Sequence, residues 1–348
     1  MRTGHAVESY PGLVSLSTNR VTWIWVALLL VALLLFPLPV SGHTLAIGTA
    51  VLIAAVGAIG LNVLTGTTGL ISLGQSGFLA IGGYSCGLLI TTWGVPAEGA
   101  VLLSGLIAGV SSLMIGAPSL RLKGLYLAIT TMAFSFIVAH VILYAEPITN
   151  GPFGVRIPDV RLLGLSIASP VQFYYAALAV TVLVTLFTVN LMRSRSGRAW
   201  TAIRDHDIAA KTMGIDLVSW KLLAFFVSSF IVGIAGALMA LQLRFITIDV
   251  FGLFLSIEAL AMILVGGAGS VAGAIVGALF IVSLPEVARA VLEMFGSGLS
   301  IAAPAYAFQI RDILTGLIII VMLRIEPDGL MGIWRNVKRY WAQWPLPI

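Results

Sequence analysis

Between Arg20 and Glu98 run 77 residues without one Asp, Glu, Lys or Arg. A bilayer core is crossed by about 20 apolar residues in a helix, so this stretch alone holds about three crossings. Water-soluble domains carry roughly a quarter charged residues. Here 9% of the 348 residues are charged, 59% are hydrophobic and the mean hydropathy is +1.07, the composition of an integral membrane protein. Runs such as "VALLLVALLL" do not alternate in polarity, which excludes the strands of a membrane barrel. Lipid cannot satisfy free backbone groups, so the spans are helices and the fold class is all-α.

Charge punctuation places about ten spans, near 22–40, 44–64, 70–93, 99–118, 124–144, 170–191, 220–241, 250–266, 270–288 and 306–323. They form a membrane domain, 22–323, between an N-terminal tail, 1–21, and a C-terminal tail, 324–348. With the N-terminus inside, ten crossings return the C-terminus inside. The inner segments then carry Arg121 and Lys123, the cluster from Arg193 to Lys221, and Arg324, Arg335, Lys338 and Arg339. The outer loops carry Glu98, a mixed set (Glu146, Arg156, Asp159, Arg161), and Arg244 with Asp249. Basic residues dominate inside, as membrane insertion favours, so both termini are expected in the cytoplasm of a multi-pass plasma-membrane protein. That asymmetry also accounts for the net charge of +5. Nucleic-acid binding is not expected, because the basic residues sit between apolar runs and form no basic-aromatic face. The first apolar run is long and another follows at once, so it reads as a retained helix rather than a cleaved leader. The outer loop "EPITNGPFGVRIPDVRLLGLSIASP" reads as ordered surface chain. The ending "WRNVKRYWAQW" reads as an anchor lying among lipid headgroups.

Residues 60–89, "GLNVLTGTTGLISLGQSGFLAIGGYSCGLL", hold eight glycines and small polar groups but no charge. A second glycine-rich interruption, "VGGAGSVAGAIVG", lies in the other half. Broken helices in both halves point to an inverted repeat with a transport path between the repeats. Broken helices expose backbone only where it faces a cavity or protein, and a helix N-terminus there favours an anionic group such as a carboxylate. The glycine pairs 83/87 and 105/109 and the row 269, 273, 277 predict close helix packing.

Catalytic chemistry is missing. No Gly-x-x-x-x-Gly-Lys-Ser/Thr loop occurs, so the chain is not expected to cradle nucleotide phosphates. His5, His43, His140 and His206 are scattered, and Cys86 is the lone cysteine, so neither a metal site nor a disulfide is expected. His140 reads as a packing residue. No serine elbow or paired acids point to hydrolysis. Glu258, two turns before the second break, is either a polar group of the path, or a partner for break-exposed backbone, or a helix-end carboxylate near headgroups. Arg311 and Asp312 are adjacent and point apart on a helix.

The inner loop "RSRSGRAWTAIRDHDIAAKTMGIDLVSWKLLAF", from Arg193, is the most informative polar segment. The spacing of Ala199, Ile203, Ala210 and Met213 predicts one amphipathic helix over 198–213, ended by Gly214. Its mixed charges, Arg204, Asp205, Asp207 and Lys211, fit docking on a soluble protein better than lying on a membrane.

Three segments, "GLNVLTGTTGLISLGQSGFLAIGGY", "GRAWTAIRDHDIAAKTMGIDLVSWKLLAF" and "AMILVGGAGSVAGAIVGALF", with the ending "EPDGLMGIW", closely resemble the permease subunits of branched-chain amino-acid ABC importers. Length and ending are similar to the longer of their two permeases, the LivM type, over residues 44–335. The resemblance implies a second related permease, two ATP-binding subunits that hold ATP and magnesium, and an extracytoplasmic solute-binding protein. This chain would then be no enzyme and hold no cofactor itself. By position, Arg198, Ile203, Arg204, Asp207, Ala210 and Gly214 belong to a coupling helix seated on an ATPase, within the coupling loop 193–219. Asn62, Ser72, Gly74, Gln75, Ser76, Gly77, Glu258, Gly266 and Gly267 are expected at or near the translocation path. Leu in place of Gly74 or Gly77 is expected to block uptake and leave assembly intact.

Relatives of this family that import urea or short amides are the alternative. A stand-alone secondary carrier would need membrane carboxylates for its coupling ion, and Glu258 is nearly alone. A scaffold would have no use for the amphipathic inner helix.

Overall fold

The computed structural model describes residues 20–119, 122, 124–162, 164–166, 168–295, 313, 316, 317, 320, 324 and 329–343. The tail up to residue 19, Arg121, Lys123, Arg311, Asp312, most of the expected span 306–323 and residues 326–328 of the ending lie outside them.

Each of the first nine expected spans is a helix. In chain order these are α1 (Arg20–Leu35), α2 (Gly42–Leu61), α3 (Gln75–Thr91), α4 (Ala97–Ser119) and α5 (Leu125–Tyr144). After a single turn α6 (Glu146–Thr149) comes α7 (Pro170–Arg193), and, beyond the inner loop, α10 (Leu217–Leu243), α11 (Leu253–Gly266) and α12 (Val271–Phe295). The last described element is α13 (Gly329–Gln343). Gly42–Thr67, Ala97–Gly116, Leu125–Tyr144, Pro170–Arg193 and Leu217–Leu243 are long and apolar enough to cross a membrane. Ile24–Leu35, Leu253–Gly266 and Val271–Val287 are shorter apolar helices.

α10 is the central post: 72% of its most apolar window is buried, against 33% for α5 and for α7. It packs on α2, α3 and α4, while α12 packs on α2 and α11. In lipid no hydrophobic force drives helices together, so contact rests on close packing of small residues. The α3–α10 contact has this character, since a Cβ on Gly82 would strike the Gly233 carbonyl oxygen and one on Gly236 that of Leu79.

The loops sort to two ends of the bundle. At one end, β1 (Val155–Arg156) pairs antiparallel with β4 (Phe245–Ile246), and β2 (Arg161–Leu162) with β3 (Leu165–Ser166). Arg244 Nη1 lies 3.2 Å from Asp159 Oδ1, and Ile157 and Leu162 are buried.

The inner loop departs from expectation. It forms two helices, α8 (Arg195–Asp205) and α9 (Asp207–Thr212), not one over 198–213. His206 between them is extended (φ −157°, ψ 104°). The charges suit that break, with Arg204 in the last turn of α8 and Asp207 in the first turn of α9, each opposing the local helix dipole. The two glycine-rich interruptions also differ from the expected inverted mates. α2 and α11 both terminate at the same end of the bundle, where their breaks touch, so an inverted repeat does not relate these two breaks to each other.

Candidate functional site

α2 runs on as a π-turn, Asn62–Thr67. Thr67 Oγ1 donates to the Val63 carbonyl and Thr68 Oγ1 to that of Leu64, both at 2.5 Å. Thr65 Oγ1 donates to the Leu70 carbonyl at 3.1 Å. These hydroxyls serve carbonyls at a helix end, where the last turns have no intrahelical donor. The three threonines supply donors of their own to the carbonyls where the helix stops.

Two side chains tie this end to other segments. Asn62 Oδ1 accepts the Gly269 N–H at 2.8 Å, and Arg204 Nη1 of α8 donates to the Gly66 carbonyl at 2.5 Å. Gly69 (φ +72°) and Gly269 (φ +89°) flank the arginine. A Cβ on the first would lie 3.3 Å from Arg204 Cγ, and one on the second 2.7 Å from Nη1. Gly329, at the head of α13, approaches the second break so closely that its Cβ would lie 2.6 Å from the Gly267 nitrogen. All four quoted motifs therefore meet at one end of the bundle.

From that junction the chain climbs as non-helical backbone, residues 69–74, and α3 begins inside the bundle. Hydroxyls from α5, from α11 and from the break itself receive N–H groups around its start. Leu73 N–H donates to Thr131 Oγ1 at 2.9 Å, Gly74 N–H to Ser72 Oγ at 3.2 Å, and Ser76 N–H to Ser256 Oγ at 2.8 Å. Ser256 returns its own proton to Ser76 Oγ at 3.0 Å. Gln75 Nε2 donates to the Gly57 carbonyl at 3.0 Å. Asn62, Ser72, Gln75 and Ser76 are all buried, engaged in holding the break together.

Gly74 and Gly77 face α5. A Cβ on Gly74 would lie 3.0 Å from the Thr131 carbonyl oxygen, and one on Gly77 3.0 Å from Ser135 Cα. Gly266 backs on Gly273 of α12. Glu258, in the second turn of α11, is buried, at 6% exposed. Ser76 also lines a cavity of about 470 Å³, together with Ser135, His140, Asp249 and Phe251. His140 is exposed on α5, its ring centroid 4.3 Å from that of Tyr144.

In the inner loop, Trp200 is fully buried and its Nε1 donates to the Trp220 carbonyl at 2.8 Å, fastening α8 to α10. Ala199, Ile203 and Ala210, expected on the outward apolar face, are buried against the bundle instead. Met213 alone of that set is exposed, at 84%, joined by Ile208 at 73%, which the sequence reading passed over. Arg198 is exposed, with Nη1 on the Arg193 carbonyl at 3.0 Å, and Asp207 is half-buried. Gly214 (φ +83°) ends α9 in a Schellman turn: its N–H meets the Lys211 carbonyl at 3.0 Å and that of Ile215 the Ala210 carbonyl at 3.1 Å. Asp216 then caps α10. The Ser219 hydroxyl and the Val218 N–H hold its carboxyl below the usual carboxylate range.

Sequence reasoning missed Thr131, Ser135 and Ser256 as caps for the break. The trace they leave is thin: a Thr and a Ser four apart on one face of α5, and a Ser two residues before Glu258.

A family model described as branched-chain amino acid transport system / permease component matches residues 43–323. The high-affinity branched-chain amino acid transport system permease protein LivM of Escherichia coli (strain K12) is 32% identical, over 92% of this chain and 77% of that protein. The probable LivM of Methanocaldococcus jannaschii is 26% identical, over 70% and 71%. BraD, a high-affinity branched-chain amino acid transport system permease protein of Pseudomonas aeruginosa, is 24% identical, over 79% and 90%. Among solved structures, PsaBC from Streptococcus pneumoniae in complex with Fab covers 86% of this chain and 96% of that one, at 14% identity and a TM-score of 0.42, a likeness too slight to carry weight. The match to the family model spans the whole bundle from α2 to beyond α12, and with it the chain belongs to the branched-chain amino acid transport system permease family.

Proposed function

We propose that this chain is one of two related permease subunits of an ATP-driven importer of branched-chain amino acids in the bacterial inner membrane. The observation that carries the reading is the family match across residues 43–323. Two partner subunits bind ATP and magnesium and hydrolyse the nucleotide, and an extracytoplasmic solute-binding protein delivers leucine, isoleucine or valine. Both termini lie in the cytoplasm.

The geometry supports a division of labour. α9 offers the ATPase two exposed apolar side chains, Ile208 and Met213, among polar neighbours, a pattern suited to a groove on a soluble partner. α8, locked by Trp200, carries the motion into the bundle. The cavity floored by Ser76 lies toward the opposite end of α11 from the Arg204 junction and is where the path opens first. It presents hydroxyls, an imidazole and the Asp249 carboxylate to a ligand bearing an ammonium, a carboxylate and an aliphatic side chain. The N–H of Ser76 is already taken by Ser256, so that amide is not the carboxylate's anchor. A site that holds its ligand weakly favours release to the other side.

The test is purification of the tagged chain from its native membrane in mild detergent. Co-purification of a related permease and ATP-binding subunits, with ATP-dependent uptake of labelled leucine in proteoliposomes, is expected. Uptake of urea but not leucine would move the substrate to the amide importers. Uptake by the chain alone without ATP would replace the reading with a secondary carrier.

A further inference from the structure

We propose that Arg204 is the positioning residue through which motion of the coupling loop reaches both broken helices. The inference rests on the importer reading for its source of motion, and on the junction geometry for everything else. α2 with its π-turn and α11 end side by side, bound by Asn62 Oδ1 to the Gly269 N–H. A helix C-terminus carries partial negative charge, so two such ends in contact repel and attract a cation. The guanidinium sits there, with Nη1 on the Gly66 carbonyl and against Gly269. Its stem lies against Gly69. Both flanking glycines have positive φ, and neither leaves room for a Cβ beside the arginine without crowding. The backbone is shaped around this side chain.

Arg204 belongs to α8, whose other anchor is Trp200 on the start of α10. The loop therefore grips the membrane domain at a rigid post and at two breaks. Non-helical backbone hinges more readily than helix. A displacement of α8 that draws the guanidinium away from Gly66 removes the shared cation from both helix ends at once. The breaks then part at the end where a ligand would leave. With the guanidinium seated, the same end is closed. A hydrogen bond from a charged donor is roughly twice as strong as a neutral one, and its planar fork is not matched by a lysine ammonium.

The experiment uses the complete importer in proteoliposomes, comparing the parent with Arg204→Ala and Arg204→Lys. Arg204→Ala is expected to keep its ATP-binding subunits and its thermal transition, yet to move about tenfold less leucine per ATP hydrolysed, the scale of an ordinary coupling between sites. Arg204→Lys is expected to recover part of that ratio. An unchanged ratio in Arg204→Ala overturns the proposal. So does loss of the ATP-binding subunits, which would make Arg204 a docking or folding residue. Failure of the parent to import leucine would sink the importer reading instead. Hydrogen exchange on the purified chain then decides the junction separately: peptides covering 62–72 and 265–272 are expected to exchange faster together in Arg204→Ala. Unchanged exchange in both would mean that Arg204 holds neither break.

Discussion

Ser256 makes two of the hydrogen bonds that let α3 begin inside the bundle, one to the Ser76 N–H and one to its hydroxyl. Both serine side chains are essentially shielded from solvent. Removing the Ser256 hydroxyl leaves a buried N–H without its acceptor, which costs about 1–3 kcal/mol. Ser256→Ala is therefore expected to lower the thermal transition of the purified chain, read by a fluorescence melt in detergent. An unchanged melt would mean that water or Ser76 itself replaces the bond. Gly77 gives a second test at this scale. Ser135 Cα lies 3.0 Å from where a Cβ would be, and overpacking a tight contact costs about 1–3 kcal/mol. Gly77→Leu is expected to reduce the yield of monodisperse protein on size exclusion, as well as uptake. Normal assembly with lost uptake would instead restore the glycine to an open path, as its sequence implied. The break itself is legible in part: glycines and small polar residues crowd 60–77, although α3 runs as a regular helix through Gly77, Gly82, Gly83 and Gly87. What caps the break is not. Thr131 and Ser135 look like any polar residues in a span until the fold turns their face of α5 toward Leu73.

The α8–α9 pair is where sequence periodicity and tertiary contact part company. Ala199, Ile203 and Ala210 fit one helical stripe, and all three are buried, but within the protein's own fold. Periodicity reports that a face is buried and not what buries it. Of the charges in "RDHD", Arg204 suits a helix end and Asp207 a helix start, while Asp205, the last residue of α8, opposes that pattern. Ile208 lies off the stripe, so no periodic signal marked it, whereas Met213, which its spacing placed on the stripe, is exposed. Their roles separate experimentally. Ile208→Asp with Met213→Asp is expected to weaken retention of the ATP-binding subunits at least about tenfold, while the melt of the isolated chain stays put, since substitutions at exposed positions change stability by about 0.5 kcal/mol or less. Trp200→Ala, which empties a fully buried site, is expected to cost about 3–5 kcal/mol and to lower that melt strongly. Equal retention by the double variant and the parent would remove α9 from the docking surface.

At the scale of the molecule, contacts sort the loops independently of hydropathy. His43 Nε2 lies 3.4 Å from Glu286 Oε1, bringing the start of α2 to the far part of α12. The turn 94–98 lines one groove with Pro158, Val160, Arg161 and Gly164, and Arg244 pairs with Asp159. The other end collects Gly66, Gly69, α8, Gly267, Gly269 and Gly329. These two sets are the alternate loops that parity predicted from charge alone, with the basic inner loop all on the second. Two unrelated arguments, insertion energetics and packing, thus divide the chain in the same way. They lead to a topology test with single cysteines in a chain whose buried Cys86 is replaced by Ala. Cys at Trp93, 76% exposed, is expected to react with an impermeant maleimide from the outside of intact cells. Cys at Met213 is expected to react only after the membrane is opened. The reverse labelling would invert the orientation and leave the ATPase-docking surface on the wrong side. Labelling of both from outside would break the two-ended sorting itself, and with it the reading of the Arg204 junction as the cytoplasmic gate.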